Sequence, residues 1–359
     1  MTDAWAESLI KMTLGGYRLE RCIGKGGFGY VFEVVAVDTG TSFAMKVLSP
    51  SKAFDAEALL DFDNEGALLA KLNRCSSVIN FVDSGSETIP VMLAESAAPV
   101  PLPLKFHVLA LASGSLDELL ASPETRDELA WPARIGLWRG AIKGVHQMHL
   151  KSVAHRDLKS SNCLLIVAGG RSEVRLADLG RSKDYARAPR HPADVYLSGR
   201  GDLRHAPPEF LLLQGGSARE DFRNADIYGL GSLLAELATG QPMTALAMAS
   251  WSDVQKLGVE DYRAGRIRDL ATLRPQFQSA IDLISETFPQ PIRRPAADLL
   301  SQLCDPVPSD RRPQRSLGKR YHPDDGLLWL LRRADILSRQ LAVAPRRRRM
   351  MSRSDERSA

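Results

Sequence analysis

His155-Arg156-Asp157-Leu158-Lys159-Ser160-Ser161-Asn162 sets a carboxylate, an ammonium and an amide side chain at fixed spacing within eight residues. A stretch of helical periodicity, residues 133–149, precedes it, and an apolar run, residues 163–167, follows. Phosphoryl transfer draws on these three groups. A carboxylate takes the proton of the attacking hydroxyl, an ammonium neutralises charge on the moving phosphoryl group, and an amide oxygen holds a metal ion. Alone, the same residues describe an ordinary solvated loop, so the reading rests on what surrounds them.

Towards the C-terminus, Leu176-Ala177-Asp178-Leu179-Gly180 ends an expected strand in a turn whose one acid is Asp178. Only a hairpin-length segment separates it from Asn162, which makes the two a candidate shared metal site. Residues 181–206 are polar and irregular, long enough to form a switchable segment. Ala206-Pro207-Pro208-Glu209 closes that segment, and residues 226–237 read as an apolar helix with small residues, central to its domain.

Towards the N-terminus the pattern turns to strands. Residues 17–23 and 30–37 flank Gly24-Lys25-Gly26-Gly27-Phe28-Gly29. A dinucleotide-binding fold would place a helix after such glycines, whereas here a strand follows. The glycines therefore read as a hairpin tip able to lie close over phosphates. Residues 42–48 form an apolar strand interrupted by Lys46, whose charge is costly there unless paired. Its partner is expected on a helix over residues 54–72, where Glu65 sits among Leu60, Leu68 and Leu69. Residues 80–85 read as another strand, and residues 86–104, rich in Pro, Ala and Ser, as a long connection. Residues 106–111 read as the last strand of this part, and from Gly114 the periodicity is mainly helical.

Taken together these motifs resemble the eukaryotic-like Ser/Thr protein kinase family over roughly residues 17–313. The resemblance rests on Gly24, Gly26, Gly29 and Val31, on Ala44-Met45-Lys46, on Glu65, and on His155-Arg156-Asp157 with Lys159 and Asn162. It rests further on Asp178-Leu179-Gly180, Pro207-Pro208-Glu209 and Asp226. It implies an α+β fold of two lobes, a small β-rich N-lobe (17–108) and a larger, mainly helical C-lobe (112–313). Residues 1–16 would be a leader and 314–359 a basic extension, partly helical and then disordered. The implied activity is transfer of the ATP γ-phosphoryl group to Ser/Thr hydroxyls of proteins, the chain itself included.

The resemblance also assigns roles. Gly24, Gly26 and Gly29 would cover the nucleotide phosphates, and Val31, Ala44 and Leu164 would sandwich the adenine. Lys46, held by Glu65, would contact the phosphates. Val108 matches the gatekeeper, and Leu109 to Leu111 the hinge. Asp157 would be the catalytic base, Lys159 would stabilise the moving phosphoryl group, and Asn162 and Asp178 would bind Mg²⁺. Asp226 would brace the catalytic loop, and Glu209 would pair with Arg312, or with Arg311 given the extra residue there. Arg156 would order the segment through a phosphate on Ser198, nine positions before Pro207, with Arg200 and Arg204 nearby. Lys159 resembles the Ser/Thr branch. The sequence departs from the family at Leu179, Pro207 and Asp202, the last standing where a threonine is usual. The alternative class is a nucleotide-binding scaffold with weak catalysis, but such relatives usually lack the lysine, the base or a metal ligand.

The 359 residues carry +4 formal charge, unevenly placed. From Arg311 to Ala359 there are 14 basic and 5 acidic residues, +9, which leaves −5 on residues 1–310. The basic balance is thus a property of the tail and does not make the main domain a nucleic-acid binder. An amphipathic helix is expected over residues 324–343. The basic tail could contact an anionic partner or its own kinase domain. Cys22, Cys75, Cys163 and Cys304 lack metal-site spacing and point to a reducing, cytoplasmic setting. No run approaches the length of a membrane helix.

Overall fold

The computed structural model describes residues 4–91, 99–188, 193–198, 201–248, 250–313 and 326–358. These divide into two compact units, Met1–Ser113 with Asp178–Gly180, and Gly114–Ala177 with Arg181–Ala359.

The first unit is a sheet with helices. In chain order it contains α1 (Ala4–Ser8), β1 (Thr13–Leu14), β2 (Tyr17–Lys25), β3 (Gly29–Ala36) and β4 (Ser42–Leu48). α2 (Ala56–Leu72), β5 (Phe81–Val91) and β6 (Val100–Ala110) follow. The antiparallel sheet has the order β1-β2-β3-β4-β6-β5. Alternation sorts its two faces. Phe32, Met45 and Val108 stand opposite one another across β3, β4 and β6 and join a core that also takes in Ala6, Leu9 and Leu14. Residues 4–14 are therefore part of this core and sheet, where the sequence suggested a leader. The other face carries Ala44 and Lys46, opposite Leu109 and His107.

Residues 86–104 were expected to be a connection. Their described parts belong instead to β5 and β6, which pair from Phe81↔Leu109 out to Val91↔Val100. The prolines misled the reading. Pro90 lies on β5, the edge strand. Pro101 and Pro103 lie on a stretch of β6 that β5 alone pairs, since β4 meets β6 only over Phe106 to Ala110. A proline at such an edge forfeits no ladder bond, and Leu102, Leu104 and Phe106 alternate into the core between them.

α2 begins at Asp55, whose carboxylate accepts the N–H groups of Glu57 and Ala58 at 3.1 Å, as an N-cap does. Its inner face carries Ala58, Phe62, Glu65, Leu68, Leu69 and Leu72. Leu60, counted with that face from the sequence, is 58% exposed and points away.

The second unit is mainly helical. It contains β7 (Gly114–Ser115), α3 (Leu116–Leu120), α4 (Pro123–Glu128), α5 (Trp131–Leu150), β8 (Val153–Ala154), β9 (Cys163–Ala168), β10 (Arg171–Leu176) and β11 (Lys183–Asp184). α6 (Pro208–Leu211), α7 (Arg219–Thr239), α8 (Met243–Ala247), α9 (Trp251–Arg263), α10 (Arg274–Ser285), α11 (Arg293–Leu303) and α12 (Leu328–Ser358) complete it. α7 is its axis: every residue from Phe222 to Ala238 is buried. Trp138 of α5 donates its indole N–H to the Leu230 carbonyl at 2.7 Å. α12 packs along α5 with Leu330, Ala334, Leu337 and Leu341 buried. Its backbone stays helical to Ser358, where the sequence suggested a disordered end. Residues 346–351 of that end are four arginines and two methionines, which favour helix.

Candidate functional site

In the first unit the β2–β3 turn holds the glycines. Gly29 is sterically required, because a Cβ there would lie 2.0 Å from the Val47 carbonyl oxygen. Gly24 and Gly26 meet nothing closer than 3.7 Å at the same point. Among the described residues nothing crowds the backbone at these two positions. Val31 stands opposite Lys46, and Ala44 opposite Leu109, so Val31, Ala44, Lys46 and Leu109 share one sheet face. Val108, matched to the gatekeeper, is fully buried in the opposite core. The strand's parity puts Leu109, and not Val108, on the lysine face. Leu111 lies just beyond the end of β6.

Lys46 Nζ lies 2.9 and 2.7 Å from the two Glu65 oxygens and 2.9 Å from Asp178 Oδ1. Burial works against the lysine charge, but the Glu65 and Asp178 carboxylates more than offset it, so its pKa is raised. Burial also pushes the Glu65 carboxyl up; Lys46 opposes that shift and Asp178 adds to it. One cation thus faces two carboxylates. Asp178 adopts a left-handed backbone, φ 58°, a conformation that non-glycine residues hold only when their surroundings impose it.

His107 is the residue of this region that the sequence did not single out. Its ring stacks on Phe62 at 4.0 Å and 12°, and Nε2 lies 2.9 Å from the Phe62 carbonyl oxygen, to which it donates. The ring thereby ties β6 to α2 one turn before Glu65. Burial pushes its pKa from 6.5 down to about 4, so it is neutral at physiological pH.

In the second unit Asp226 organises the Asp157 loop. Its carboxylate, 1% exposed, accepts the backbone N–H of His155 at 2.9 Å and of Arg156 at 2.7 Å. His149 Nε2 adds a third bond at 2.8 Å. These hold Arg156 in the left-handed region, φ 67°, which turns the chain sharply before Asp157. The Asp157 N–H donates to His155 Nδ1 at 3.3 Å, so His155 Nε2 carries the proton and donates to the Ala177 carbonyl at 3.1 Å. Asn162 Nδ2 donates to the Asp157 carbonyl at 2.7 Å and to Asp157 Oδ2 at 3.3 Å. Lys159 Nζ stands 3.6 Å from the same Oδ2. The base, the ammonium and the amide are therefore gathered on one short loop. Leu164 stands opposite Ser115 in the β7–β9 pair.

The Asn162 amide nitrogen is thus spent on Asp157. The Asn162 side-chain oxygen and the Asp178 carboxylate are each, in their own unit, hard oxygen donors of the kind Mg²⁺ takes. No group of three or more His, Cys, Asp or Glu side chains suited to a metal occurs among the described residues.

Three sequence expectations need comment. Glu209 pairs with Arg311, not Arg312. Arg311 donates to both Glu209 oxygens at 2.7 Å and is fully buried, while Arg312 turns outward to Glu220. The 3-10 turn Pro308–Arg311 ends on Arg311 and sends that side chain inward. Arg156 lies over the rings of Tyr196 and Phe222, at 5.4 and 5.0 Å. Ser198 is half-buried two residues beyond Tyr196, and Arg200 falls outside the described residues, as does the charge of Arg346 to Arg349.

The protein kinase domain model matches residues 17–319. The chain belongs to the protein kinase domain family. Its curated relatives include the calcium/calmodulin-regulated receptor-like kinase 1 of Arabidopsis thaliana, 29% identical over 68% of this chain and 50% of that protein. Another is the leucine-rich-repeat receptor-like serine/threonine-protein kinase FEI 2 of the same plant, 27% identical over 81% of this chain and 47% of that protein. The nodulation receptor kinase of Pisum sativum is 31% identical over 65% of this chain and 23% of that protein. The chain spans half or less of the length of these relatives. No helix among the described residues is long and apolar enough to cross a membrane.

Proposed function

We propose that this kinase domain is catalytically active and transfers the γ-phosphoryl group of ATP to Ser/Thr hydroxyls of proteins, its own chain included. One observation carries the reading: Asp157, Lys159 and Asn162 meet on a single loop, with Lys159 and Asn162 each directed at Asp157. A chain that had given up catalysis would have no need of that convergence.

In this reading Gly24, Gly26 and Gly29 lie over the phosphates, and Val31, Ala44, Leu109, Leu111 and Leu164 face the adenine. Lys46, oriented by Glu65, holds the α- and β-phosphates. Asp157 accepts the proton as the hydroxyl oxygen bonds to the γ-phosphorus and the bond to ADP breaks, and Lys159 neutralises charge on the moving group. Asn162 and Asp178 hold Mg²⁺, which when bound offsets the charge of the phosphate oxygens. Ser198 is the self-modification site, with Arg204 as a cationic neighbour. Ser/Thr selectivity is supported by Lys159 and by the printed names of relatives such as the FEI 2 kinase. The four cysteines are all free, which fits a reducing cytoplasmic setting. Leu330, Ala334, Leu337 and Leu341 of α12 are buried against α5, and the arginines of the tail would contact an anionic partner or the kinase domain itself.

The test is incubation with γ-labelled ATP, Mg²⁺ and a generic protein substrate, beside an Asp157→Asn control. Label on the substrate from the wild-type protein alone supports the reading. Equal label from both removes Asp157 from the mechanism, and none from either favours the nucleotide-binding scaffold.

A further inference from the structure

Three charged side chains of the helical unit stand beside the Asp157 loop and have no role in the chemistry above. His205 lies between two carboxylates. Its Nε2 is hydrogen-bonded to Glu236 Oε1, and its Nδ1 is 3.3 Å from Asp202 Oδ2, in ion-pair reach though off the line of a hydrogen bond. Glu236 comes from α7, and its other oxygen accepts the backbone N–H of Ser160 at 3.0 Å, three residues past Asp157. Asp202 accepts the Arg204 N–H at 3.0 Å, which closes the turn ahead of α6. Next to it, Gly201 lies so near the base that a Cβ would stand 2.4 Å from Asp157 Oδ1.

The chemistry of the ring follows. A neutral imidazole presents one N–H and one lone pair, and the lone pair would face a carboxylate; two carboxylate neighbours call for protons on both nitrogens. Burial opposes that charge, but Asp202 and Glu236 outweigh it and raise the His205 pKa from 6.5 to about 9. His205 in turn holds the Asp202 carboxyl well below the ordinary range, with Lys159 contributing in the same direction. Arg204 sends its own guanidinium elsewhere, to Gln241. The Asp157 carboxylate is thereby bounded on both sides, Oδ2 by Asn162 and Lys159 and Oδ1 by the Gly201 backbone.

We propose that His205 is a positioning residue: as a cation held between Asp202 and Glu236, it fastens the turn of residues 201–206 to the Ser160 end of the catalytic loop and keeps Gly201 against Asp157. This rests on the kinase reading above. The tie spans two segments distant in sequence and bears on Asp157 through the backbone of Gly201.

The experiment compares wild type, His205→Phe, which keeps a ring and loses both contacts, and His205→Arg, which keeps the charge. Phosphorylation of a generic protein substrate is followed from pH 6.5 to 10 together with hydrogen exchange of the peptides covering residues 157–163 and 201–210. His205→Phe is expected to lose roughly ten- to a hundredfold in kcat, the range for a displaced catalytic group, with KM for ATP held within about twofold. His205→Arg should recover most of the loss, and wild-type activity relative to it should fall as pH passes about 9. Both peptides should exchange faster in His205→Phe. Wild-type kcat and unchanged exchange in His205→Phe would overturn the proposal. If the ring variant fails to fold, Asp202→Asn makes the same test from the more exposed side, with a smaller loss of kcat and of protection. A wild type that transfers no phosphate refutes the kinase reading instead, and the exchange comparison then decides the His205 tie alone.

Discussion

Lys46, half-buried, and Arg311, fully buried, are both cations facing carboxylates, yet their surroundings are completed differently. Arg311 meets one carboxylate, Glu209, through two parallel bonds, and its remaining N–H groups go to the carbonyls of Asn224, Asp305 and Pro306. Its charge is matched and its donors are used. Lys46 meets two carboxylates, buried Glu65 and the more exposed Asp178, and burial pushes the Glu65 carboxyl up. A balanced pair asks for nothing more and serves the fold. On the kinase reading, one lysine shared by two carboxylates would suit a second cation, as Mg²⁺ carried by a nucleotide would be.

That contrast can be broken in graded steps. Asp157→Asn, which touches neither cation, sets the scale: transfer should fall roughly 10²–10⁴-fold, the usual worth of a general base, with ATP still bound. Titration with a fluorescent ATP analogue beside the transfer assay checks both halves. Lys46→Met should cost about 10²-fold or more in transfer through misplaced phosphates, with a smaller loss of stability, since Glu65, whose pKa burial already raises, can take up a proton. Arg311→Met should do the reverse. It strands Glu209 in the interior and should destabilise the helical unit by about 3–5 kcal/mol, read by denaturant melts, while the remaining folded protein keeps its turnover. If Lys46→Met melted the protein and Arg311→Met only slowed it, the assignment of the two roles would be inverted.

The smallest effect concerns His107. Its pKa is depressed from 6.5 to about 4 by burial, so the unfolded chain takes up a proton that the folded one refuses. Stability is then full above pH 6.5 and is lost as pH falls towards 4, by on the order of 3 kcal/mol at the low end. Melting curves across that window should show the loss in wild type and a shallower one in His107→Gln.

The same contrast explains what the sequence made legible. The groups to which the proposal gives chemical work appear as rule violations: a lysine in an apolar strand, a glutamate on a helix face that packs inward, an acid, a lysine and an asparagine in one loop. They could be read because no packing argument accounts for them. What could not be read was geometry decided by register. Val108 and Leu109 differ by one position, and β6 parity alone puts Leu109 beside Lys46 and Val108 in the core. Arg311 and Arg312 differ by one position likewise, and the preceding turn selects between them. Pro101 and Pro103 passed for loop residues because edge pairing is not visible in one strand alone. His205 gave no local signal, since its two partners lie 3 and 31 residues away.

The most direct measurement is phosphoamino-acid analysis of a protein substrate and of the chain itself after reaction with γ-labelled ATP, with Mg²⁺ and with excess chelator. The account predicts label on phosphoserine and phosphothreonine, in the Mg²⁺ reaction alone and lost in Asp157→Asn. Label on phosphotyrosine, label that persists in chelator, or none above the Asp157→Asn background would contradict it.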